Sequence, residues 1–101
     1  DGLPAWSKSR PTESESKSIK TISKFARDSN CVLYFAHIGS SRALEQINEE
    51  RKNGTKILTE TCPHYLTLSH EKQIGYLAKV MPPIRSEEDI SFVWNSFCVS
   101  V

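Results

Sequence analysis

Several common signatures of function are missing from this sequence of 101 residues. Its 13 Lys and Arg nearly balance 12 Asp and Glu, which leaves a net charge of +1 and no long-range field that would attract nucleic acid or an anionic membrane. No apolar run approaches the roughly 20 residues that span a bilayer. The four glycines are isolated, which excludes a Gly-rich phosphate loop, and no GxSxG pattern marks a nucleophile elbow.

Cysteine is scarce and widely spaced, since Cys31, Cys62 and Cys98 form no CxxC pair. This pattern excludes a disulfide framework and a zinc finger, and we expect reduced thiols in a cytoplasmic protein. Cys31 opens an apolar run and is expected to be buried. Because the sequence starts at Asp1 without Met and ends without a polar tail, we expect it to be a piece of a longer chain.

The first half of the chain predicts an alternation of helices and strands. Residues 1–11, rich in Pro and Ser, are predicted to form a loop. A helix is predicted over about 13–27, opened by a capping box of Thr12 and Glu15. Residues 31–36 are apolar at every position, which predicts a strand covered on both faces.

A second helix is expected after the first strand, capped by the serines that follow it and ended by Asn53-Gly54. Its inward stripe consists of Ala43, Leu44 and Ile47. A second strand over 55–61 stops before Pro63, because proline cannot donate to a sheet ladder. Residues 66–75 are predicted to form a polar loop or a short helix.

A short third strand is predicted over 76–81, halted by Pro82-Pro83. Ser86 and Asp89 then form a capping box for a last helix, whose apolar face carries Ile90, Val93, Trp94 and Phe97. The predicted order is α-β-α-β-loop-β-α. Strands separated by 12- to 15-residue helices are joined by right-handed parallel crossovers, so the sequence predicts an α/β fold.

Two strand ends carry titratable residues. His37 lies where the first strand ends, and α/β folds bind ligands at such strand ends. A neutral imidazole at this position is a suitable zinc ligand. The alternative is a structural role, in which His37 donates a hydrogen bond to a neighbouring backbone carbonyl. Glu60 and His64 follow the next strand and are possible neighbours of the same site. A salt bridge from Glu60 to Lys79 or Arg85, and a packing role for His64, are the commoner outcomes.

The stretch around Met81-Pro82-Pro83 is the other dense feature. Two prolines fix an extended backbone and expose the amide and carbonyl before them. Such a stretch can hold a planar amide substrate through main-chain groups. It can equally be a stiff connector that places the last helix, with Arg85 bonded to a carboxylate.

Taken together, four motifs resemble the cyclic amidohydrolases, which comprise dihydroorotases, allantoinases and the hydantoinase/dihydropyrimidinase group. The likeness runs from about Leu3 to Trp94. Its motifs are Arg10-Pro11 before a helix with Glu13, then His37-Ile38-Gly39-Ser40, then Glu60-Thr61-Cys62-Pro63-His64-Tyr65, and last Lys79-x-x-Pro82-Pro83-x-Arg85 followed by Trp94.

This resemblance implies a partial (β/α)8 barrel of the TIM type. Residues 1–101 would be a single segment from the middle-to-late part of a metal-dependent hydrolase barrel, roughly strands six to eight or fewer, and not a complete domain. The implied reaction is hydrolysis of a cyclic amide or imide (hydantoin, dihydropyrimidine, allantoin or dihydroorotate type) by a metal-activated hydroxide. The implied centre is binuclear, usually zinc or another divalent metal, bridged by a carboxylated lysine, with an aspartate as general base and acid.

By resemblance His37 is a metal ligand, and Met81 and Pro82 contact the substrate through the main chain. Met81 stands where the family has Asn, Ser or Ala, which favours a hydantoinase or allantoinase over a dihydroorotase. One imidazole cannot hold a binuclear centre, so we expect no catalytic residue within the segment and no activity from it alone. Expected partners are the substrate, the remainder of the barrel and further copies in a homo-oligomer, without nucleic acid or membrane. A non-catalytic dihydropyrimidinase-like barrel and a small α/β binding module stay open as alternatives.

Overall fold

The computed structural model describes the backbone of residues 2–98 and the side chains through Phe97. Within these residues the elements are α1 (Leu3–Lys8), α2 (Thr12–Asp28), β1 (Val32–Phe35), α3 (Ser41–Lys52), β2 (Lys56–Thr59), α4 (Pro63–Thr67), a 3-10 helix (Tyr76–Ala78) and α5 (Glu87–Cys98). None of these helices combines the length and the hydrophobicity that a membrane span requires. The expectation of a reduced thiol at Cys98 lies outside the described side chains.

The two strands form a parallel pair, with Val32 opposite Lys56 and Phe35 opposite Thr59. Because α3 connects them, β1-α3-β2 is the βαβ unit that the sequence predicts, and an α/β fold with parallel strands is confirmed. α2 packs against α3, and α3 packs against α5. The core between these helices and the sheet consists of Ile19, Ile38, Ala43, Leu44, Ile47, Ile57 and Val93.

One face of this sheet is bare. β1 alternates between exposed and half-buried residues, and Val32, Tyr34 and Leu58 on the open face are 58 to 59% exposed. The prediction of a strand covered on both faces is therefore wrong for the described residues, because the helices lie against one face only. Cys31 is exposed as well, so the prediction that it is buried is also wrong.

Of the three helix caps that the sequence predicts, two are observed in the structure. Ser40 accepts a hydrogen bond from the amide of Ala43 at 3.2 Å and caps α3 as predicted. Ser86 and Asp89 form the predicted capping box, since the Ser86 hydroxyl accepts from the Asp89 amide at 3.1 Å. The box predicted from Thr12 and Glu15 is wrong: α2 begins after Pro11 without a side-chain cap, and the Glu15 carboxylate is bonded elsewhere.

Two predicted segments, one near the N-terminus and one before the last helix, differ most from the structure. Residues 3–8 form a helix and not a loop, because Pro4 fits the first helical turn and Leu3 and Ser7, one turn apart, are both buried. The predicted strand over 76–81 is replaced by a 3-10 helix that follows Gly75 at a positive φ of 76°. Its apolar appearance came from Tyr76 and Leu77, which are exposed and not paired with a strand.

Candidate active site

The backbone at the end of β1 carries one extra residue. The amide of Glu60 donates to the Phe35 carbonyl at 3.0 Å, and its carbonyl accepts from the Ile38 amide at 2.9 Å. In a regular parallel pair, one residue bonds to two residues of the neighbouring strand whose positions differ by two. Phe35 and Ile38 differ by three, so Ala36 and His37 between them form a β-bulge. His37 takes a left-handed φ of 49°, which L-residues rarely adopt and which is typical of functional sites.

His37 is exposed, and its imidazole makes no hydrogen bond to residues 2–98. It lines a groove of about 360 Å³ together with Pro82, a volume within the range of small-molecule sites. The structure therefore brings two of the predicted site residues to one groove. The other lining residues come from α2, from the end of β1 and from α3: Ser14, Glu15, Ser18, Ile19, Phe35, Ala36, Ile38 and Ala43.

Glu60, His64 and Met81 do not belong to the residues that line this groove, and Pro82 is the part of the predicted substrate segment that does. The Glu60 carboxylate accepts a hydrogen bond from the Tyr34 hydroxyl, so the predicted salt bridge to Lys79 or Arg85 is wrong. This hydrogen bond, with smaller contributions from burial and from the charge of Glu60, raises the pKa of Tyr34. His64 on α4 packs its ring against Tyr65 at 4.1 Å between centroids.

Tyr65 is a site residue that the sequence does not reveal. It is buried, and its hydroxyl donates to the carbonyl of Pro82 at 2.7 Å. Burial raises the pKa of Tyr65 to about 12, so it remains a neutral donor. Its ring lies against Gly39, where an added Cβ would come within 2.5 Å of the ring. Tyr65 thus joins the loop that follows His37 to the segment that contains Pro82.

The backbone on both sides of Met81 is held by side chains. Trp6 Nε1 donates to the Val80 carbonyl at 2.9 Å, and Tyr65 occupies the Pro82 carbonyl. Within the described part of the chain the amide and carbonyl of Met81 itself have no hydrogen bond. Met81 is exposed, and its two main-chain groups lie between two carbonyls that are held in place.

Arg85 is bonded to a carboxylate, as the connector interpretation of this segment predicts. Its Nη2 contacts Glu15 Oε1 at 2.6 Å, and its Nη1 donates to the hydroxyl and the carbonyl of Ser7 at 3.0 and 3.2 Å. Glu15 Oε2 also accepts from the Ser40 hydroxyl at 2.9 Å. A buried arginine requires a carboxylate, and this requirement was the available signal for a partner of Arg85 on another element.

The chain has relatives of known identity in sequence and in structure. No protein-family model matches the chain. Allantoinase from Bacillus velezensis is 41% identical over 87 residues, 84% of this chain and 19% of that protein, and allantoinase from Salmonella paratyphi B is 35% identical over 89 residues. A D-hydantoinase structure superposes with a TM-score of 0.88 over 99% of this chain and 23% of its own, at 26% identity. The chain is a segment similar to the cyclic amidohydrolases in sequence and in structure.

The L-hydantoinase (dihydropyrimidinase) from Arthrobacter aurescens has a similar structure. It superposes with a TM-score of 0.84 over 92% of this chain and 21% of its own. The chain thus spans about a fifth of the length of the relatives that it matches. The resemblance found in the sequence is confirmed at the level of the family.

Within residues 2–98 no three His, Cys, Asp or Glu side chains come together as a ligand set. His37 is compatible with a single ligand, because its imidazole is exposed and lies just after the end of β1. A catalytic zinc ordinarily has three protein ligands, so a complete site needs ligands from outside the described residues.

Proposed function

We propose that the protein to which this segment belongs hydrolyses a cyclic amide or imide ring at a divalent-metal centre, usually zinc and binuclear. The observation that carries this proposal is the groove shared by His37, held in a left-handed conformation on a β-bulge, and by Pro82. The names of the relatives, allantoinase and hydantoinase, support this substrate class. Met81 in place of Asn, Ser or Ala favours a hydantoin or allantoin ring over dihydroorotate.

In this proposal the chain's own residues bind and orient. His37 supplies one imidazole to the metal, with its orientation limited by the bulge. The Met81 amide and carbonyl bind the planar amide of the ring, because the carbonyls on either side are already held by Trp6 and Tyr65. When bound, the metal supplies an activated water and stabilises the negative charge that develops on the ring carbonyl. His64 and Glu60 stay near the site without an assigned step.

We further propose that residues 1–101 form a middle-to-late piece of a (β/α)8 barrel and not a complete domain. The apolar side chains Val32, Tyr34 and Leu58 on the bare face support this, since an isolated two-stranded sheet is at best marginally stable. The remaining strands of the barrel would cover this face. The free cysteines Cys31 and Cys62 support a reducing, cytoplasmic location, and a homo-oligomer stays a prediction.

The experiment compares the full-length protein with its His37→Ala variant. Metal content is measured by elemental analysis and ring opening by hydrolysis of hydantoin and allantoin. The variant should lose bound metal and activity together, whereas His70→Ala, at a histidine outside the groove, should keep both. Unchanged metal content in His37→Ala would contradict the assignment. A wild-type protein that opens neither ring would favour the non-catalytic barrel, and a monomeric, cooperatively melting 1–101 would favour the binding module.

A further inference from the structure

One carboxylate touches both halves of the groove. Glu15 on α2 accepts from the Ser40 hydroxyl through Oε2 at 2.9 Å and binds Arg85 through Oε1 at 2.6 Å. Ser40 follows His37 by three residues, and Arg85 follows Pro82 by three residues. Glu15 also lines the groove itself. A single side chain therefore connects the loop that carries the imidazole to the segment that carries the substrate-facing backbone.

This connection is partly shielded from water, since the Glu15 side chain is 25% exposed. The side chains of Ser40 and Arg85 are almost fully buried, and charge-assisted hydrogen bonds in such surroundings are short and strong. Both partners are fixed on their other side as well, because the Ser40 hydroxyl accepts from the Ala43 amide and Arg85 donates to Ser7. Glu15 therefore joins two groups that are themselves bonded to other parts of the fold, and the distance between the two segments is limited by the span of one carboxylate.

We propose that Glu15 is a positioning residue: its two oxygens fix the distance between His37 and the Met81-Pro82 backbone. This inference rests on the proposed function, because it assumes that the imidazole and the backbone act on one substrate. Tyr65 forms a second, uncharged link between the same segments through Gly39 and the Pro82 carbonyl. Loss of Glu15 should therefore leave the segment folded, because the Tyr65 link remains. The distance between His37 and the Met81-Pro82 backbone should nevertheless change.

The test variant is Glu15→Gln in the full-length protein. Glutamine keeps the size of the side chain but loses the negative charge that pairs with Arg85. If its amide nitrogen faces Ser40, the Ser40 hydroxyl must accept a hydrogen bond where it now donates one to Glu15. Zinc affinity, measured by competition with a chromophoric chelator, should fall roughly 10- to 100-fold, as for other residues that orient metal ligands. At saturating zinc, KM for the ring substrate should rise by a similar factor or kcat should fall.

The matched control is Glu13→Gln, since Glu13 lies on the same helix, with its side chain 61% exposed and paired only with the exposed Arg42. It should leave zinc affinity, kcat and KM unchanged within about twofold, because exposed pairs contribute little. Glu15→Asp is the second variant. It keeps the charge but is one methylene shorter and reaches only one partner, so its zinc affinity should lie between wild type and Glu15→Gln.

Amide hydrogen exchange gives a readout that needs neither metal nor turnover. Exchange in residues 36–40 should be faster in Glu15→Gln than in wild type and unchanged in Glu13→Gln. A Glu15→Gln variant with a lower melting temperature but wild-type zinc affinity, kcat, KM and loop exchange would overturn the proposal and leave Glu15 as a structural residue. Failure of the proposed function is distinguishable, because it is seen in wild type and in His37→Ala before any Glu15 variant is measured.

Discussion

Replacing Gly39 with alanine should separate the loop after His37 from Tyr65. An added Cβ would lie 2.5 Å from Tyr65 Cδ1 and 2.7 Å from Cγ, well inside the roughly 3.5 Å at which carbon atoms attract. The conflict is steric and not conformational, since Gly39 does not have a positive φ. Tyr65 is 2% exposed, so relief of this contact requires a shift of the buried ring or of the loop.

The expected loss of stability has two parts. Overpacking of a buried site costs about 1–3 kcal/mol, and the hydrogen bond from Tyr65 to the Pro82 carbonyl, 2.7 Å long in the structure, adds about 1 kcal/mol when it is broken. Gly39→Ala should therefore lower the free energy of unfolding by roughly 2–4 kcal/mol. Urea denaturation measures this as a lower midpoint at an unchanged slope.

The deciding comparison is the same substitution in the Tyr65→Ala background. Alanine lacks the Cγ and Cδ1 atoms that the added Cβ would meet, so Gly39→Ala should then cost little. Gly54→Ala is the control for a glycine without neighbours, since nothing lies within 4 Å of its Cβ but its φ is 94°; it should lose about 1–2 kcal/mol through backbone strain alone. A Gly39→Ala cost that is absent in wild type, or equal in both backgrounds, would refute the reasoning.

Two further predictions concern charges that stabilise the fold. Burial raises the pKa of Asp89, but hydrogen bonds from Ser41 and Ser86 outweigh this effect and lower the pKa below 3.8. The ionised carboxylate therefore stabilises the fold above that pH, and this stabilisation is lost as the pH falls. In Asp89→Asn, the urea midpoint should decrease less than in wild type between about pH 6 and pH 3. Arg27→Met leaves the buried Glu50 without its counter-charge and should cost about 3 kcal/mol of unfolding free energy, of which Arg27→Met/Glu50→Leu should recover more than half.

The parts of the fold that the sequence predicts correctly depend on neighbours in the chain. Ser40 caps α3 by reaching an amide three residues on, and Ser86 with Asp89 does the same for α5. The inward stripe of α3 follows from helical periodicity alone, and its burial is confirmed. A helix of this length between two apolar segments requires the parallel pairing that β1 and β2 show.

The parts that the sequence does not predict depend on distant residues. Thr12 and Glu15 have the spacing of a capping box, but Arg85, 70 residues away, offers Glu15 a buried charge partner, and a charge-assisted bond is worth more than a local cap. The same competition explains Glu60, whose carboxylate accepts from Tyr34 across the sheet. Residues 76–81 fail as a strand because no neighbouring strand within the described residues accepts them.

The geometry of the groove depends on contacts between residues that are distant in the sequence. His37 is placed by a bulge against Glu60, and the Met81-Pro82 segment by Tyr65 and Arg85; none of these contacts is local in sequence. Since a mismatch of about 1 Å between reacting groups is enough to slow catalysis 100-fold, such a site needs more than one link between its halves. Tyr65 supplies an uncharged link and Glu15 a charged one. Because the two differ in chemistry, a loss at either should alter the groove without unfolding the segment that forms it.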